Sequence, residues 1–313
     1  MTGDGEASVD DGPMAARARS DVVGLVGLGQ MGAPMARHLI DAGFPVAGYD
    51  LDPARAAALA ADGGEPCDSA GAVAGAAATV ITSLPSAGAL DDALNGPRGL
   101  LAVGERPLVI VETSTLALRD KEAARVAAEA VGTTLLDCPL SGTAAQAQQK
   151  DLVVYASGDR AAIERCVPIF DGFARTHHDL GPFGAGSKMK FVANLLVAIH
   201  NVATAEAFVL ATKAGIDRQT VYEVITSSAA TSRMFEVRGP MMVAGDYDQP
   251  GVSARVFQKD LRVIDDFARS CACPTPLFTA TMPVYLGALA LGLDDLDAGA
   301  VCAVLERLAG IER

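Results

Sequence analysis

The stretch that most restricts this chain is DVVGLVGLGQMGAPMARHLIDAGFPVAGYD, residues 21–50. The apolar run from Val22 to Leu28 suits a fully buried strand. Residues 31–42 carry the apolar spacing of a helix closed by Gly43, and residues 45–50 read as a second strand. That is one βαβ unit, and its crossover makes the two strands parallel. At the first strand–helix junction stands Gly27-Leu28-Gly29-Gln30-Met31-Gly32, the GxGxxG spacing. Glycines there permit a tight turn, close approach of the backbone to a pyrophosphate, and close helix–strand packing, with the helix N-terminus facing the anion. The second strand ends in Asp50, about 20 residues on, where a carboxylate can accept hydrogen bonds from adenosine ribose hydroxyls. The spacing therefore predicts a dinucleotide cofactor. Asp50 would repel a 2′-phosphate, and the residues after it, Leu51 included, bring no cation before Arg55, so NAD is expected over NADP.

The alternation continues. Helical patterns over 53–61, 87–94 and 118–130 interleave with strand-like runs at 79–84, 108–114, 133–140 and 151–158; the last two flank a loop, SGTAAQAQQK. Such alternation predicts an α/β Rossmann-type, doubly wound and mostly parallel sheet. At about residue 185 the pattern changes to helices only: 187–214, 218–228, 233–244, 256–271, 277–291 and 297–310. The expected organisation is a flexible polar tail over 1–20, a cofactor-binding domain over 21–185, and an all-α C-terminal domain over 186–313.

Bulk properties narrow the partners. A formal net charge of -13 argues against nucleic acid. The first 20 residues lack an apolar h-region, and the longest apolar stretch, from Phe191, is interrupted by Asn194, His200, Asn201 and Glu206. A soluble cytoplasmic protein without membrane contact is expected. The six cysteines show no metal-ligand spacing and read as reduced core residues, and no metal is predicted.

A candidate for chemistry lies in SKMKFVANLL. Ser187 reads as an N-cap, which would put Lys190 in a helix first turn. Lys190 and Asn194 form an i, i+4 pair on one helix face, whereas Lys188 points away and reads as the surface lysine. The helix dipole and burial would both lower the pKa of Lys190 towards the range useful for proton transfer. A second loop, Asp137-Cys138-Pro139-Leu140-Ser141-Gly142-Thr143, follows a strand and offers a hydroxyl and adjacent N–H donors, a suitable cradle for a carboxylate.

Together these segments resemble the β-hydroxyacid dehydrogenase family, which includes 3-hydroxyisobutyrate, tartronate semialdehyde, glyoxylate/succinic semialdehyde and threonate-type enzymes. The resemblance runs in order from Val22: GLGQMGAPMA, the LP of ITSLPS, ETST where the family often has DxST, DCPLSGT for D-x-P-x-S-G-G, GAGSKMKFVAN, AEAFVLATKAGID, and QKDL. It implies a Rossmann domain joined by a long helix to a domain like that of 6-phosphogluconate dehydrogenase, in a homodimer or homotetramer. It also implies roles: Lys190 as catalytic lysine with Asn194 as partner, and Ser141 with Gly142 as the loop for the substrate carboxylate. Leu84, Pro85 and Thr115 match cofactor contacts, Lys259 a residue near the nicotinamide, and Asp260 one supporting the site. Thr143 replaces the family's second glycine, and AAQAQQKD its Gly-rich continuation, so the substrate is not carried over from well-known members. The expected activity is NAD-dependent oxidation of a small 3-hydroxy acid, or the reverse reduction of an aldehyde or keto acid. The alternatives are a glyoxylate/succinic semialdehyde-type reductase, an imine reductase, or a non-catalytic NAD-binding module.

Overall fold

The computed structural model describes residues 21–104, 107–248 and 251–312; the expected tail over 1–20 lies outside them. Six strands form one sheet: β1 (Val23–Val26), β2 (Val46–Tyr49), β3 (Glu65–Pro66), β4 (Thr79–Thr82), β5 (Val109–Glu112) and β6 (Thr134–Asp137). Their order is β3-β2-β1-β4-β5-β6 and every pairing is parallel. Helices α1 (Gly32–Asp41), α2 (Pro53–Ala61), α3 (Ala70–Ala76), α4 (Ala87–Asn95) and α5 (Leu118–Glu129) make the crossovers. Strand order reverses between β1 and β4, and the carboxyl ends of those strands open a crevice suited to a dinucleotide. Both faces of the sheet carry a packed core. One is built on Leu25, Met35 and Leu39, the other on Val73, Val80, Leu90 and Ile110.

Beyond β6 the chain departs from the expected pattern. A second, three-stranded sheet forms from β7 (Leu140–Ser141), β8 (Val153–Ala156) and β9 (Thr176–Asp179), with β7 antiparallel to β8 and β8 parallel to β9. The segment expected to be a loop contains α6 (Ala144–Gln148), and β8 and β9 are joined by α7 (Arg160–Phe173). Pro168 and Gly172 obscure the helical spacing of α7. Gly172 lets α7 pack closely on α1, since a Cβ there would lie 2.8 Å from Leu39 Cδ2.

The helical part begins with the 29-residue α8 (Ala185–Lys213), followed by α9 (Arg218–Thr226), α10 (Arg233–Ala244), α11 (Ala254–Ser270), α12 (Pro276–Ala290) and α13 (Val301–Leu308). Helix α8 is long and apolar enough to cross a membrane by length and composition, yet α9 to α13 all pack against it or its neighbours. It buries a polar group among them: Asn201 Nδ2 donates to Tyr285 Oη at 3.0 Å and to the Ala298 carbonyl at 2.8 Å. Cys138, Cys166 and Cys302 are core residues as expected. Cys67 is only half-buried, and Cys271 and Cys273 are exposed, because α11 ends at Ser270 and the turn after it faces solvent.

Candidate active site

The glycine turn is shaped by contacts that only glycine tolerates. Gly27 has φ +93°, and a Cβ on Gly32 would lie 1.9 Å from the Gly27 carbonyl oxygen. At Gly29, by contrast, the nearest atom to such a Cβ is Arg55 Nη1 at 3.5 Å, so the backbone remains approachable. That is the shape a pyrophosphate requires at the start of α1. Around it Leu28 is buried, Met31 half-buried, and Gln30 and Leu51 exposed. Asp50 closes the crevice: its Oδ2 accepts the Leu28 N–H at 2.7 Å and its Oδ1 the Asp52 N–H at 2.9 Å. Arg55 folds back over this carboxylate, 3.3 Å from Oδ2, so a cation does stand beside Asp50.

Across the crevice the loops after β4 and β5 are tied together. The Leu84 N–H donates to Ser114 Oγ at 2.9 Å, with Pro85 exposed beside it. The carbonyl of Thr115 accepts a hydrogen bond from Lys259 Nζ on α11, and Lys259 also pairs with Asp260 Oδ1 at 3.2 Å. Asp260 reaches the long helix: its Oδ2 accepts from Asn194 Nδ2 at 2.9 Å.

Lys190 and Asn194 share the buried face of α8, and Lys188 is exposed. Burial pulls the Lys190 ammonium down to a pKa of about 8; Asp260 opposes the shift and Lys259 adds to it. The expected reason was partly wrong. Helix α8 starts at Ala185 with Gly184 (φ +88°) as its N-cap, so Lys190 sits beyond the first turn and desolvation replaces the dipole as the main cause. Ser187 is inside the helix because its capping partner is distant in sequence. Its N–H donates to Asp137 Oδ2 at 2.8 Å and its hydroxyl to Asp137 Oδ1 at 2.7 Å.

The predicted carboxylate loop divides in two. Ser141 ends β7, half-buried. Gly142 has φ +140°, and a Cβ there would meet Leu152 Cδ2 at 2.6 Å. Thr143 is instead the N-cap of α6, in a capping box: its Oγ1 accepts the Gln146 N–H at 3.3 Å, while its own N–H donates to Gln146 Oε1 at 3.0 Å. Its donors therefore serve α6. Ser141 and Gly142 remain as the loop's candidate substrate contacts, and α8 packs against β7 beside them.

One polar cluster was not anticipated. Lys121, fully buried on α5, lies 2.6 Å from Glu112 Oε2 and 2.7 Å from Asp137 Oδ1. Burial alone would push its pKa down, but the two carboxylates outweigh it and hold the ammonium above the usual lysine range. The signal was present, since Lys121 occupies a helical stripe with Ala124 and Ala128 where an apolar residue belongs.

Residues 22–181 match the family model for the NAD binding domain of 6-phosphogluconate dehydrogenase. Residues 184–305 match that for the NAD-binding region of NADP-dependent 3-hydroxyisobutyrate dehydrogenase. The chain is 32% identical to 2-(hydroxymethyl)glutarate dehydrogenase of Eubacterium barkeri over 94% of its own length and 97% of that protein's. It is 33% identical to L-threonate dehydrogenase of Cupriavidus necator over 90% and 95%. A solved structure of 3-hydroxyisobutyrate dehydrogenase from Salmonella typhimurium superposes with a TM-score of 0.83 at 33% identity, covering 91% of this chain and all of that one. An open glycine cradle, a buried lysine on the long helix and near-complete coverage by such relatives lead to one assignment: the chain belongs to the β-hydroxyacid dehydrogenase family of NAD(P)-binding oxidoreductases.

Proposed function

We propose that this protein oxidises a small 3-hydroxy acid of the 3-hydroxyisobutyrate, glycerate or threonate kind to its semialdehyde or keto acid, and catalyses the reverse reduction, with NAD as the preferred cofactor. The observation that carries the reading is Lys190, a lysine buried on the inner face of α8 with its pKa lowered to about 8. Such a group exchanges a proton readily near neutral pH. Residues 21–185 would bind the cofactor, and 186–313 would supply the substrate side and the assembly surface.

In this reading Gly27 to Gly32, Asp50 and Leu51 hold the adenosine and pyrophosphate half of the cofactor. Leu84, Pro85, Thr115 and Lys259 line the nicotinamide half. When bound, NAD supplies the hydride acceptor. Ser141 and Gly142 hold the substrate carboxylate, and Thr143 shapes the loop through the α6 cap. Neutral Lys190 takes the hydroxyl proton during oxidation, and its ammonium returns a proton to the carbonyl oxygen during reduction. Asn194, fixed by Asp260, orients the substrate hydroxyl towards Lys190. The substrate occupies the cleft between the two parts of the chain. The protein is read as soluble and cytoplasmic, and the exposed Met189, Val192 and Leu196 along α8 support a homodimer or homotetramer.

The test is the initial rate of NAD reduction across 3-hydroxyisobutyrate, 3-hydroxypropionate, glycerate, threonate, 2-(hydroxymethyl)glutarate, serine and 4-hydroxybutyrate. One clear winner supports the reading, and a silent panel overturns the substrate class. With that substrate, kcat/KM for oxidation should rise with pH and level off above about 8, because only neutral Lys190 accepts a proton. The reduction should show the mirror profile, falling above about 8. Asp50→Asn is expected to raise the NADP-to-NAD ratio of kcat/KM by roughly tenfold or more, since it removes the repulsive charge and frees Arg55 to meet a 2′-phosphate. An unchanged ratio would show that Asp50 does not set the preference.

A further inference from the structure

The buried Glu112–Lys121–Asp137 cluster sits between the loops after β4 and β5 and the start of α8. It joins them through the sheet, whereas the link through Lys259 and Asp260 runs through α11. Glu112 and Asp137 are direct neighbours at the carboxyl ends of β5 and β6, paired in register, and both are fully buried. Two carboxylates side by side without solvent repel strongly, and Lys121 Nζ sits within 2.7 Å of both. Each carboxylate then spends its remaining hydrogen-bonding capacity on a different loop. Glu112 Oε1 accepts the Ser114 N–H at 2.9 Å, and Ser114 Oγ in turn accepts the Leu84 N–H at 2.9 Å. That chain fixes the loops carrying Leu84, Pro85 and Thr115. Asp137 accepts both the N–H and the hydroxyl of Ser187, one helical turn before Lys190.

The start of α8 is held from a second side as well. Ser157 Oγ accepts the Gly186 N–H at 2.9 Å and donates to the Asp137 carbonyl at 3.0 Å. A Cβ on Gly186 would lie 2.2 Å from the Tyr155 carbonyl oxygen, so backbone packs directly on backbone. Any movement of Asp137 is therefore transmitted to the turn that carries Lys190. An apolar residue could fill the volume of Lys121, but it could not hold two carboxylates that anchor separate loops.

We propose that Lys121 is a positioning residue: through Glu112 it fixes the cofactor wall, through Asp137 it fixes the helix of Lys190, and it thereby sets the distance between hydride acceptor and proton acceptor. The inference rests on the reading of Lys190 as the general acid/base. A merely structural cluster would affect stability alone. A positioning cluster also moves kcat at nearly constant KM, the affinity for NADH, and the titration of Lys190, which faces Asp260 and Lys259 from α11.

The experiment uses the full chain with Glu112→Gln, which leaves Lys121 and Asp137 as a matched pair, and Lys121→Met/Glu112→Gln, which keeps the parent's net buried charge with Asp137 as the one carboxylate; both are isosteric or nearly so. Three readouts are taken on folded protein. They are kcat and KM on the best substrate, NADH affinity by fluorescence titration, and the pH at which the Lys190 peptide is half-modified by an amine reagent without cofactor. For the double variant the expected result is a roughly tenfold fall in kcat with KM within about twofold. NADH should bind roughly fivefold more weakly, and the Lys190 midpoint should shift by at least about half a pH unit. Glu112→Gln should move each in the same direction by a smaller factor. All three readouts within about twofold, or 0.3 pH units, of the parent would overturn the proposal. If the double variant does not fold, Glu112→Gln decides by the same criterion, because its amide oxygen still accepts from Ser114. Lys190→Ala retaining turnover would instead overturn the catalytic reading, and the NADH affinity and Lys190 midpoint of the cluster variants would still judge the cluster.

Discussion

Replacing Lys190 with Met is expected to remove most of the turnover and to make the protein more stable. Removal of a general acid/base lowers kcat by roughly 10²–10⁴-fold. The stability gain follows from the direction of the pKa shift. The folded protein holds Lys190 at about 8, against 10.5 for an ordinary lysine, so burial disfavours its charged form. Below pH 8 the group is protonated in both states, and the folded state carries the full penalty of about 3 kcal/mol. Between 8 and 10.5 the folded group is already neutral, and the penalty fades as the unfolded one loses its proton. Met matches the length of the lysine stem and fills the site without a charge. Asp260 is not orphaned by the change, because Lys259 and Asn194 still engage it. Urea unfolding of the two proteins should therefore differ by about 3 kcal/mol at pH 7 and by much less at pH 10. Equal stability at pH 7 would show that the ammonium is solvated in the folded state, and the basis for its catalytic role would go with it.

The same residue shows how far sequence alone reaches. Lys190 and Asn194 could be placed together because helical periodicity is local, and Lys188 could be set aside by the same geometry. The glycine turn was equally legible, since Gly27 and Gly32 answer to steric limits within a few residues of themselves. The start of α8 was misread because the group that satisfies its N-terminal N–H donors is Asp137, 50 residues away, rather than a local cap. Residues 144–148 form α6 through a Thr143–Gln146 capping box whose pattern stands in the sequence, but no apolar run follows to draw attention to it. Lys259 and Thr115 lie 144 residues apart and only the family resemblance linked them to one cofactor; periodicity could not. Contacts made between distant segments, which define most of the crevice, leave little trace in local spacing. A lysine on an alanine stripe is the exception, because there the local rule is visibly broken.

That broken rule leads to a large expected loss of stability. Lys121→Met alone should destabilise the protein by about 3–5 kcal/mol, because it strands Glu112 and Asp137 as neighbouring carboxylates with no solvent to screen them. The size of the loss comes from the unpaired charges and not from packing, since Met occupies nearly the same volume. Adding Glu112→Gln removes one of those charges and should recover at least half of the loss. Asp137 then keeps Ser187, Ser157 and the N-terminus of α8 as its partners, which suffices for a single carboxylate. Chemical denaturation of the parent, the two single variants and the double variant closes this cycle, and the expected coupling between positions 112 and 121 is about 2 kcal/mol or more. Additive losses would mean that the two side chains do not share an ion pair, and Lys121 could then not carry a constraint from one loop to the other. A large coupling would show that Lys121 binds the ends of β5 and β6 into one unit, the physical basis that the proposed restraint on Lys190 requires.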